Sequence, residues 1–348
     1  MKVDSFRLIG GDIDGLRIPS VETLPESLTQ NLLVRHQGRL KYFDKGKGWS
    51  EAVRNSLFPF SSHTFTSASV RGSIGPTLAQ CIAAYSSDWK NNPDFFTVQS
   101  GFQVWTVPET GTYRIEAVGA SGASNGTIDQ GGRGARVAAD YQLTQGQKLV
   151  IGVGQCTNGA STTGGTAQAK AGGGGSFVFL ESKTLANCII VAGGGGGTRT
   201  SSVSSHAHAS LTTSGNSVQS GSSDGAGGTN GNGGRGGISA GGQGGAGLIS
   251  DGANPSSASS GRVEPRSIIS TATGGLLEYG VYGGFGGGGG WWGGGGGGGG
   301  YSGGGGGNWN STSAVDAGGG GSYVRSSVNR LLTHRSDRGN GSVTITKL

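Results

Sequence analysis

Long apolar runs, paired cysteine motifs and dense charge are all missing from this 348-residue sequence, and each absence excludes a class of protein. No stretch approaches the roughly eighteen consecutive apolar residues that a membrane-spanning helix needs. The start of the chain, residues 1–7, also lacks the apolar segment of a secretory signal peptide. We therefore expect a soluble protein that is made in the cytoplasm and does not insert into a membrane.

Cysteine is scarce, with three residues at Cys81, Cys156 and Cys188 and no C-x-x-C or other metal-ligand spacing. A protein made in the reducing cytosol seldom holds a disulfide. The sequence therefore favours buried thiols over a cystine and predicts no zinc site.

Charged residues make up only 13% of the chain, and the formal net charge is +6. The basic residues are dispersed, apart from Arg325, Arg330, Arg335 and Arg338 near the C-terminus. A nucleic-acid-binding protein more typically carries a basic stripe with interleaved aromatic residues. We expect no nucleic-acid partner, and attraction to an anionic cell surface is a better use of this charge.

Signals of catalysis are weak. Matches to G-x-G-x-x-G occur repeatedly in a chain so rich in glycine, but none is followed by a helical pattern and an acidic residue at the required distance. His206 and His208 could face one side of a strand and share a metal, but no third ligand is apparent, which favours a solvated serine-rich loop. The sequence predicts no enzyme activity, no cofactor and no bound metal.

Glycine is what the sequence has in excess, at 77 of 348 residues, about three times the usual share of ~7%. The glycines show no Gly-X-Y period, which excludes a collagen triple helix. A flexible linker is the competing interpretation, but the runs alternate with apolar, strand-like segments at 176–180, 188–191 and 322–324. These segments and a closing strand at 342–346 favour a folded domain.

The uninterrupted glycine runs cover residues 172–175, 193–197, 286–290, 293–300, 303–307 and 318–321. An extended helix with three residues per turn makes no internal hydrogen bonds, so a buried one must be satisfied by its neighbours. Close approach on all sides requires residues without side chains. We predict that the glycines of these runs are structural, beginning with the first of each run: Gly172, Gly193, Gly286, Gly293, Gly303 and Gly318.

The segments between the runs are long and polar, roughly 155–171, 198–224, 249–273 and 308–317. Because the runs leave no room for side chains, recognition is expected to concentrate in these loops. Five aromatic residues interrupt the glycine-rich region, and they form either a wall of the bundle or an exposed receptor platform. They are Phe285, Trp291, Trp292, Tyr301 and Trp309.

Residues 1–58 have an ordinary composition. Within them, 31–36 and 39–44 predict two short strands around a turn at Gln37-Gly38, and a second turn at 45–48 leads to Trp49. The segment LPESLTQNLLVRHQGRLKYFDKGKGWSEAV resembles a hairpin pattern, G-x-L-x-Y-x-D-G-x-x-W after an LP or IP segment, that is common in phage tail and fibre proteins. The resemblance implies attachment to a virion.

The rest of the chain resembles a second family. GPTLAQC at 75–81, WTVP at 105–108 and GTYRI at 111–115 resemble the opening of the extracellular glycine-rich domain of anaplastic lymphoma kinase and leukocyte tyrosine kinase, and later glycine-rich motifs follow in the same order. The resemblance implies a tumour-necrosis-factor-like (TNF-like) β-sandwich merged with polyglycine helices. Glycine-rich sandwiches also occur in tip adhesins of T-even-like phages, where loops joining such helices contact the host receptor.

Together these observations predict an all-β chain: a virion attachment segment at 1–58, and at 59–348 a TNF-like sandwich merged with a bundle of polyglycine II helices. The expected function is that of a tail fibre or fibre-tip adhesin. Its expected partners are other fibre or baseplate proteins, bound through the N-terminus, and a bacterial surface receptor, either protein or glycan. A homotrimer is expected. The alternatives are a head fibre or capsid decoration protein without a dedicated receptor, and a secreted ligand-binding module.

Overall fold

The computed structural model describes residues 20–21, 32–36, 39–44, 48–51, 56–124, 127–159, 170–199, 203–218, 225–256, 262–276, 281–290, 293–309 and 315–348. The chain folds into two compact units, Met1–Leu57 and Phe58–Leu348. Regular structure in the described residues is mostly antiparallel β, as the predicted all-β class requires. None of the described helices has the length and apolar character needed to cross a membrane.

The first unit contains a four-stranded sheet, formed by β1 (Ser20–Val21), β2 (Leu32–His36), β3 (Arg39–Asp44) and β4 (Gly48–Glu51) in that order. β1 runs parallel to β2, whereas β2, β3 and β4 are antiparallel to each other. The hairpin predicted from two short strands at 31–36 and 39–44 is therefore confirmed. Its turn residues 37–38 and 45–47 lie outside the described residues.

The second unit contains two antiparallel sheets. One has the strand order β13-β12-β11-β10-β7-β6 and the other β14-β9-β8-β15-β5. The strands are β5 (Ser62–Phe65), β6 (Phe96–Gln99), β7 (Phe102–Thr106), β8 (Gly111–Val118), β9 (Ala135–Leu143), β10 (Lys148–Gly152), β11 (Ser176–Leu180), β12 (Cys188–Ala192), β13 (Tyr323–Val324), β14 (Leu331–His334) and β15 (Ser342–Lys347). The strands predicted at 176–180, 188–191, 322–324 and 342–346 are confirmed, the third as the two residues of β13.

A side-chain core joins the two sheets, because residues from both belong to one buried hydrophobic cluster. Trp105 and Ile190 come from the six-stranded sheet, and Ile115 and Val343 come from the five-stranded sheet. β8 illustrates how a strand contributes to this core. Its side chains alternate between buried and partly exposed positions, as the two-residue period of a strand requires.

A short helix, α1 (Leu78–Ala84), was missed by the all-β prediction. Thr77 caps it, since its hydroxyl accepts the Gln80 N–H while the Gln80 side chain accepts the Thr77 N–H. This reciprocal pair has the Thr-x-x-Gln spacing of a capping box, which the sequence displays. The helix has 7 residues, too few for the apolar periodicity by which helices are usually recognised.

The three cysteines are free thiols with buried side chains, as predicted. Burial raises the pKa of Cys81 to about 11, and it raises the pKa values of Cys156 and Cys188 to about 12. Since the thiolate is the reactive form, these side chains act as small apolar core residues.

Candidate functional site

The longest glycine run, residues 293–300, is held by hydrogen bonds that repeat every three residues. The N–H groups of Gly296 and Gly299 donate to the carbonyl oxygens of Lys170 and Gly173, so every third residue reaches the same neighbouring segment. Two more segments are reached by the same rule: Gly297 and Gly300 donate to Gln243 and Ala246, and Gly298 and Tyr301 donate to Gly318 and Gly321. Residue numbers rise together in each pair, so these three neighbours run parallel to the central run.

The carbonyl oxygens of the same run accept from three further segments. Gly194 and Gly197 donate to Gly299 and Gly296, with residue numbers falling as the partner's rise, so this neighbour is antiparallel. The other donors are Gly304 and Gly307, which bond to Gly298 and Gly295, and Gly289, which bonds to Gly297. The N–H and C=O groups of the run therefore form hydrogen bonds with segments on several sides. In a β-sheet, side chains occupy the directions above and below the strand. We call these hydrogen-bonded segments the glycine array.

Glycine is required in the array because the backbones are in direct contact. A Cβ atom added to Gly298 would come within 3.0 Å of the Gly194 carbonyl group, closer than real Cβ atoms approach. The same holds for the six glycines that the sequence analysis singled out; a Cβ there would meet backbone atoms, or the Trp309 ring at one of them. They are Gly172, Gly193, Gly286, Gly293, Gly303 and Gly318.

Three of the predicted loops each have at least one terminus at the same end of the array. Gly296 donates to Lys170, where the loop 155–171 ends, and Gly197 donates to Gly296 just before the loop 198–224 begins. Ala317, the last residue of the loop 308–317, donates in turn to Gly197. Three of the four predicted loops therefore meet at neighbouring backbone positions.

The fourth predicted loop, 249–273, reaches the same end by a chain of bonds. Ser256 donates to Gly237, Gly237 to Gly242, and Gly242 to Gly307, which directly precedes the loop 308–317. We call this end of the array, where Lys170, Arg199, Ile238, Ser256, Trp309 and Asp316 lie, the loop end. The opposite end, where the runs lead into β11 and β13, is the strand end.

Two of these segments were wrongly predicted to be loops throughout. Within 198–224, Ser210 donates to Gly320 and Gly319 donates to His206, so 206–210 runs alongside the array. Within 249–273, Gly252 donates to Pro265 and Ile268 donates to Gly247. Serine, alanine and threonine can turn small side chains away from the array while the backbone still bonds to it, and their polar composition imitates a loop. Residues 160–169, 200–202, 219–224, 257–261 and 310–314 lie outside the described residues.

Asp316 anchors one loop to another at the loop end. Its buried carboxylate accepts the N–H of Arg199 at 2.9 Å, the N–H of Ser204 at 3.1 Å and the Ser204 hydroxyl at 2.8 Å. The Asp316 carbonyl accepts from His206 Nε2 at 3.1 Å. His206 is therefore a structural donor, and the described residues contain no group of three or more metal-ligating side chains.

Two buried amides fix the spacing of other loop segments. Asn308 Oδ1 accepts the N–H of Ile238 at 2.9 Å. The fully buried Gln243 side chain donates to Asn254 Oδ1 at 2.8 Å and to the Val263 carbonyl at 2.9 Å, while its own Oε1 accepts the Gly290 N–H at 2.8 Å. Because burial makes each lost hydrogen bond costly, these side chains hold the loop end in one arrangement.

The charge at the loop end is partly positive. Lys170 is buried, and burial lowers its pKa, with a further lowering from the charge of nearby Arg199. Arg199 itself is exposed. The exposed guanidinium of Arg199 can offer paired N–H donors to a carboxylate, a phosphate or a carbonyl oxygen, while its backbone N–H is held by Asp316.

The five aromatic residues predicted as a wall or a platform do not come together. Trp309 lies half-buried at the loop end, where its ring covers Gly293. Phe285 is 1% exposed at the strand end and packs on Phe102 with ring centroids 5.4 Å apart, so it belongs to the wall and not to a platform.

Tyr301, partly buried, is also at the strand end, stacked on Tyr323 at 4.8 Å. Tyr323 lies in β13, so its sequence pattern indicates a strand residue and not a member of the aromatic set. Trp291 and Trp292 lie outside the described residues. Of the described members of the set, Trp309 is the one at the loop end.

No protein-family model matches this chain.

Proposed function

We propose that this protein is a virion adhesin of a tailed phage, a tail fibre or fibre-tip component that binds a host cell-surface receptor through the loop end. The observation that carries the proposal is that all four predicted loop segments reach the same end of the glycine array. An adhesin needs a rigid support and a surface that can vary in sequence without disturbing it. Loops anchored by a backbone-bonded array provide that separation, because connecting segments tolerate sequence change better than the elements they connect.

For the scaffold, we propose polyglycine II helices merged with a TNF-like sandwich. Support for the helices comes from the bonds that repeat every three residues, since three residues per turn is the period of this helix. Run 293–300 also has hydrogen-bonded neighbours in six segments, and a buried helix without internal hydrogen bonds needs such neighbours. Support for the sandwich comes from the shared core of the two antiparallel sheets.

The first unit, Met1–Leu57, is proposed to attach the protein to other fibre or baseplate proteins, and the assembled form is proposed to be a homotrimer. The attachment role rests on the resemblance of the N-terminal hairpin to phage tail and fibre proteins. The trimer rests on the fact that fibre proteins are commonly trimers and that a TNF-like sandwich also suits one. Sedimentation equilibrium of the purified protein tests the second idea: a single species of three times the chain mass of 34.6 kDa is expected. A monomer at micromolar concentration would contradict it.

Adsorption tests the receptor function. Purified protein is expected to bind susceptible bacteria and to protect them from infection by competition. A variant with Arg199→Ala and Trp309→Ala is expected to lose this protection, because both side chains lie at the loop end. Leu185→Ala is the matched control, since Leu185 is 49% exposed in a turn between β11 and β12.

If the double variant and the control protect the cells equally, the loop end does not bind the receptor. If the wild-type protein binds no susceptible cell, a head fibre or capsid decoration protein becomes the better description.

A further inference from the structure

Basic side chains from four segments meet on the flank of the second unit. Arg133 lies two residues before the start of β9, and His334 ends β14. Arg338 lies between β14 and β15, and His208 belongs to the segment 206–210. β14 pairs with β9 so that His334 stands opposite Ala135. The imidazole rings of His208 and His334 lie 5.4 Å apart. We call Arg133, His208, His334 and Arg338 the basic cluster.

The hydrogen bonds of the cluster determine which donors remain. The N–H of Arg133 donates to His208 Nδ1 at 2.9 Å, so a neutral His208 carries its proton on Nε2. His334 donates from Nε2 to the Ala209 carbonyl at 2.9 Å, and Arg338 donates from Nη1 to the Gly131 carbonyl. His208 Nε2–H and further guanidinium N–H groups are then available as donors to a ligand.

One of these donors is buried without an acceptor. Arg133 Nε has no hydrogen-bond partner among the described residues, although it is shielded from solvent. A buried donor without an acceptor is unfavourable, and a donor on a charged guanidinium is more so. An anionic oxygen placed here would satisfy it.

The charge of the cluster is only partly balanced. The pKa of His208 is lowered by burial and then by the charges of His334, Arg133, Arg338 and His206. Burial and the charge of Arg133 also lower the pKa of Arg338, while Asp129 acts in the opposite direction. Asp129 lies 3.9 Å from Arg71, and the exposed Asp337 is held by Arg335 at 2.8 Å. The two nearby carboxylates, Asp129 and Asp337, therefore also interact with Arg71 and Arg335, which lie outside the cluster.

We propose that the basic cluster binds an anionic group, a phosphate or a carboxylate, carried by a glycan of the host cell surface. The cluster brings two arginines and an imidazole N–H close together, with one buried guanidinium N–H left without an acceptor, and arginine suits the geometry of both oxyanions. The proposal that the anionic group belongs to a host glycan rests on the proposed function. The proposal that the cluster binds an oxyanion is independent of that function.

Nuclear magnetic resonance of the full chain tests the site, with orthophosphate as one probe and glucuronate as another. Saturable shifts of the His208 and Arg133 signals are expected with at least one probe, together with a rise in the pKa of His208 on binding. A shift with phosphate alone would identify phosphorylated glycans, and a shift with glucuronate alone would identify acidic sugars. Absence of saturable shifts with both probes would overturn the proposal.

Arg133→Gln with Arg338→Gln keeps side-chain length and removes both charges. The double variant is expected to bind the probe about tenfold more weakly, the scale of a lost charge-assisted hydrogen bond. Arg330→Gln is the matched control, because Arg330 is an exposed arginine at the opposite end of β14. Should the double variant fail to fold, Arg338→Gln alone is compared with the same control, and equal affinities would overturn the proposal.

Adsorption assays separate this proposal from the adhesin function. If the protein adsorbs to cells but neither probe binds, the anion site fails and the adhesin function stands. If a probe binds the cluster but no cell is bound, the adhesin function fails and the anion site stands.

Discussion

The two sheets and the glycine array of the second unit are packed by opposite means. Between the sheets, large side chains such as Trp105, Phe65 and Ile115 are fully buried against each other. In the array, the buried groups are peptide N–H and C=O groups in direct contact with those of neighbouring runs. Both regions are buried, but apolar side chains hold the sheets together, whereas backbone hydrogen bonds hold the array together.

The difference predicts opposite sensitivities. A side-chain core can lose a methyl group and leave a small cavity, with a moderate loss of stability. A backbone array has no room for an added methyl group. Each glycine that it orders also loses more conformational entropy on folding than any other residue would. We expect the array to form only as a whole, because each run depends on several others for its hydrogen bonds.

The largest effect is expected from Gly298→Ala in the centre of the array. The added Cβ would come within 3.0 Å of the Gly194 carbonyl group, whose backbone is fixed by its own bonds. The free energy of unfolding, measured by chemical denaturation, should fall by more than about 4 kcal/mol, or cooperative unfolding should be lost altogether.

Gly159→Ala provides the control for that substitution. A Cβ at Gly159 would meet no heavy atom within 4 Å, so the free energy of unfolding should stay within about 0.5 kcal/mol of wild type. If the two alanine variants are equally stable, close backbone contact is not what holds the array together.

A smaller effect is expected from acidification, and it should come from the sheet region. His63 in β5 packs edge-on against Phe65, Tyr85 and Trp89, with ring centroids 4.6 to 4.8 Å apart. Burial lowers the pKa of His63 from 6.5 to about 4. Between these pH values the unfolded chain binds a proton that the folded chain does not, so stability is lost as the pH falls through this window.

The loss attributable to His63 should be about 1–2 kcal/mol, less than the full shift implies because the ring is partly exposed. Chemical denaturation at pH 7 and pH 4.5 measures it as the difference between wild type and His63→Gln. The glutamine variant is expected to lose less stability on acidification. Parallel losses in the two proteins would assign the pH dependence to other groups.

The smallest effect is expected from Ile115→Val in the centre of β8. Removal of one methyl group from a fully buried side chain should lower the free energy of unfolding by about 1 kcal/mol. Chemical denaturation of this variant beside Gly298→Ala compares one methyl group removed from the sheets with one added to the array. A loss at Ile115 as large as the loss at Gly298 would erase the distinction between the two regions.

Much of the β structure could be predicted from local patterns. The strands at 176–180, 188–191 and 342–346 show β-type alternation or short apolar runs, and the N-terminal hairpin shows two short strand-like segments on either side of Gln37-Gly38. α1 was missed although its capping box is visible in the sequence. A search for caps without a long apolar period would have found it.

Less of the candidate site could be predicted. Phe285, Tyr301 and Trp309 all interrupt the same glycine-rich region of the sequence, but the first two lie at the strand end and the third at the loop end. Arg338 stands out in the sequence as one of four C-terminal arginines, but no pattern indicates that Arg133 and His208 are its neighbours. Those residues are more than a hundred positions away in the chain, and the contacts depend on how the array folds back.

Side chains absent from the runs, strands that frame them and polar segments that connect them can all be read from the amino-acid sequence. The fold alone establishes which run lies beside which, and therefore which end of the array each loop segment reaches. Side chains give each strand pairing its own shape, whereas the N–H and C=O groups of one glycine are identical to those of the next. An array built from such groups has no local pairing signal, so the framing strands and the buried side chains of Asp316, Gln243 and Asn308 must set its register.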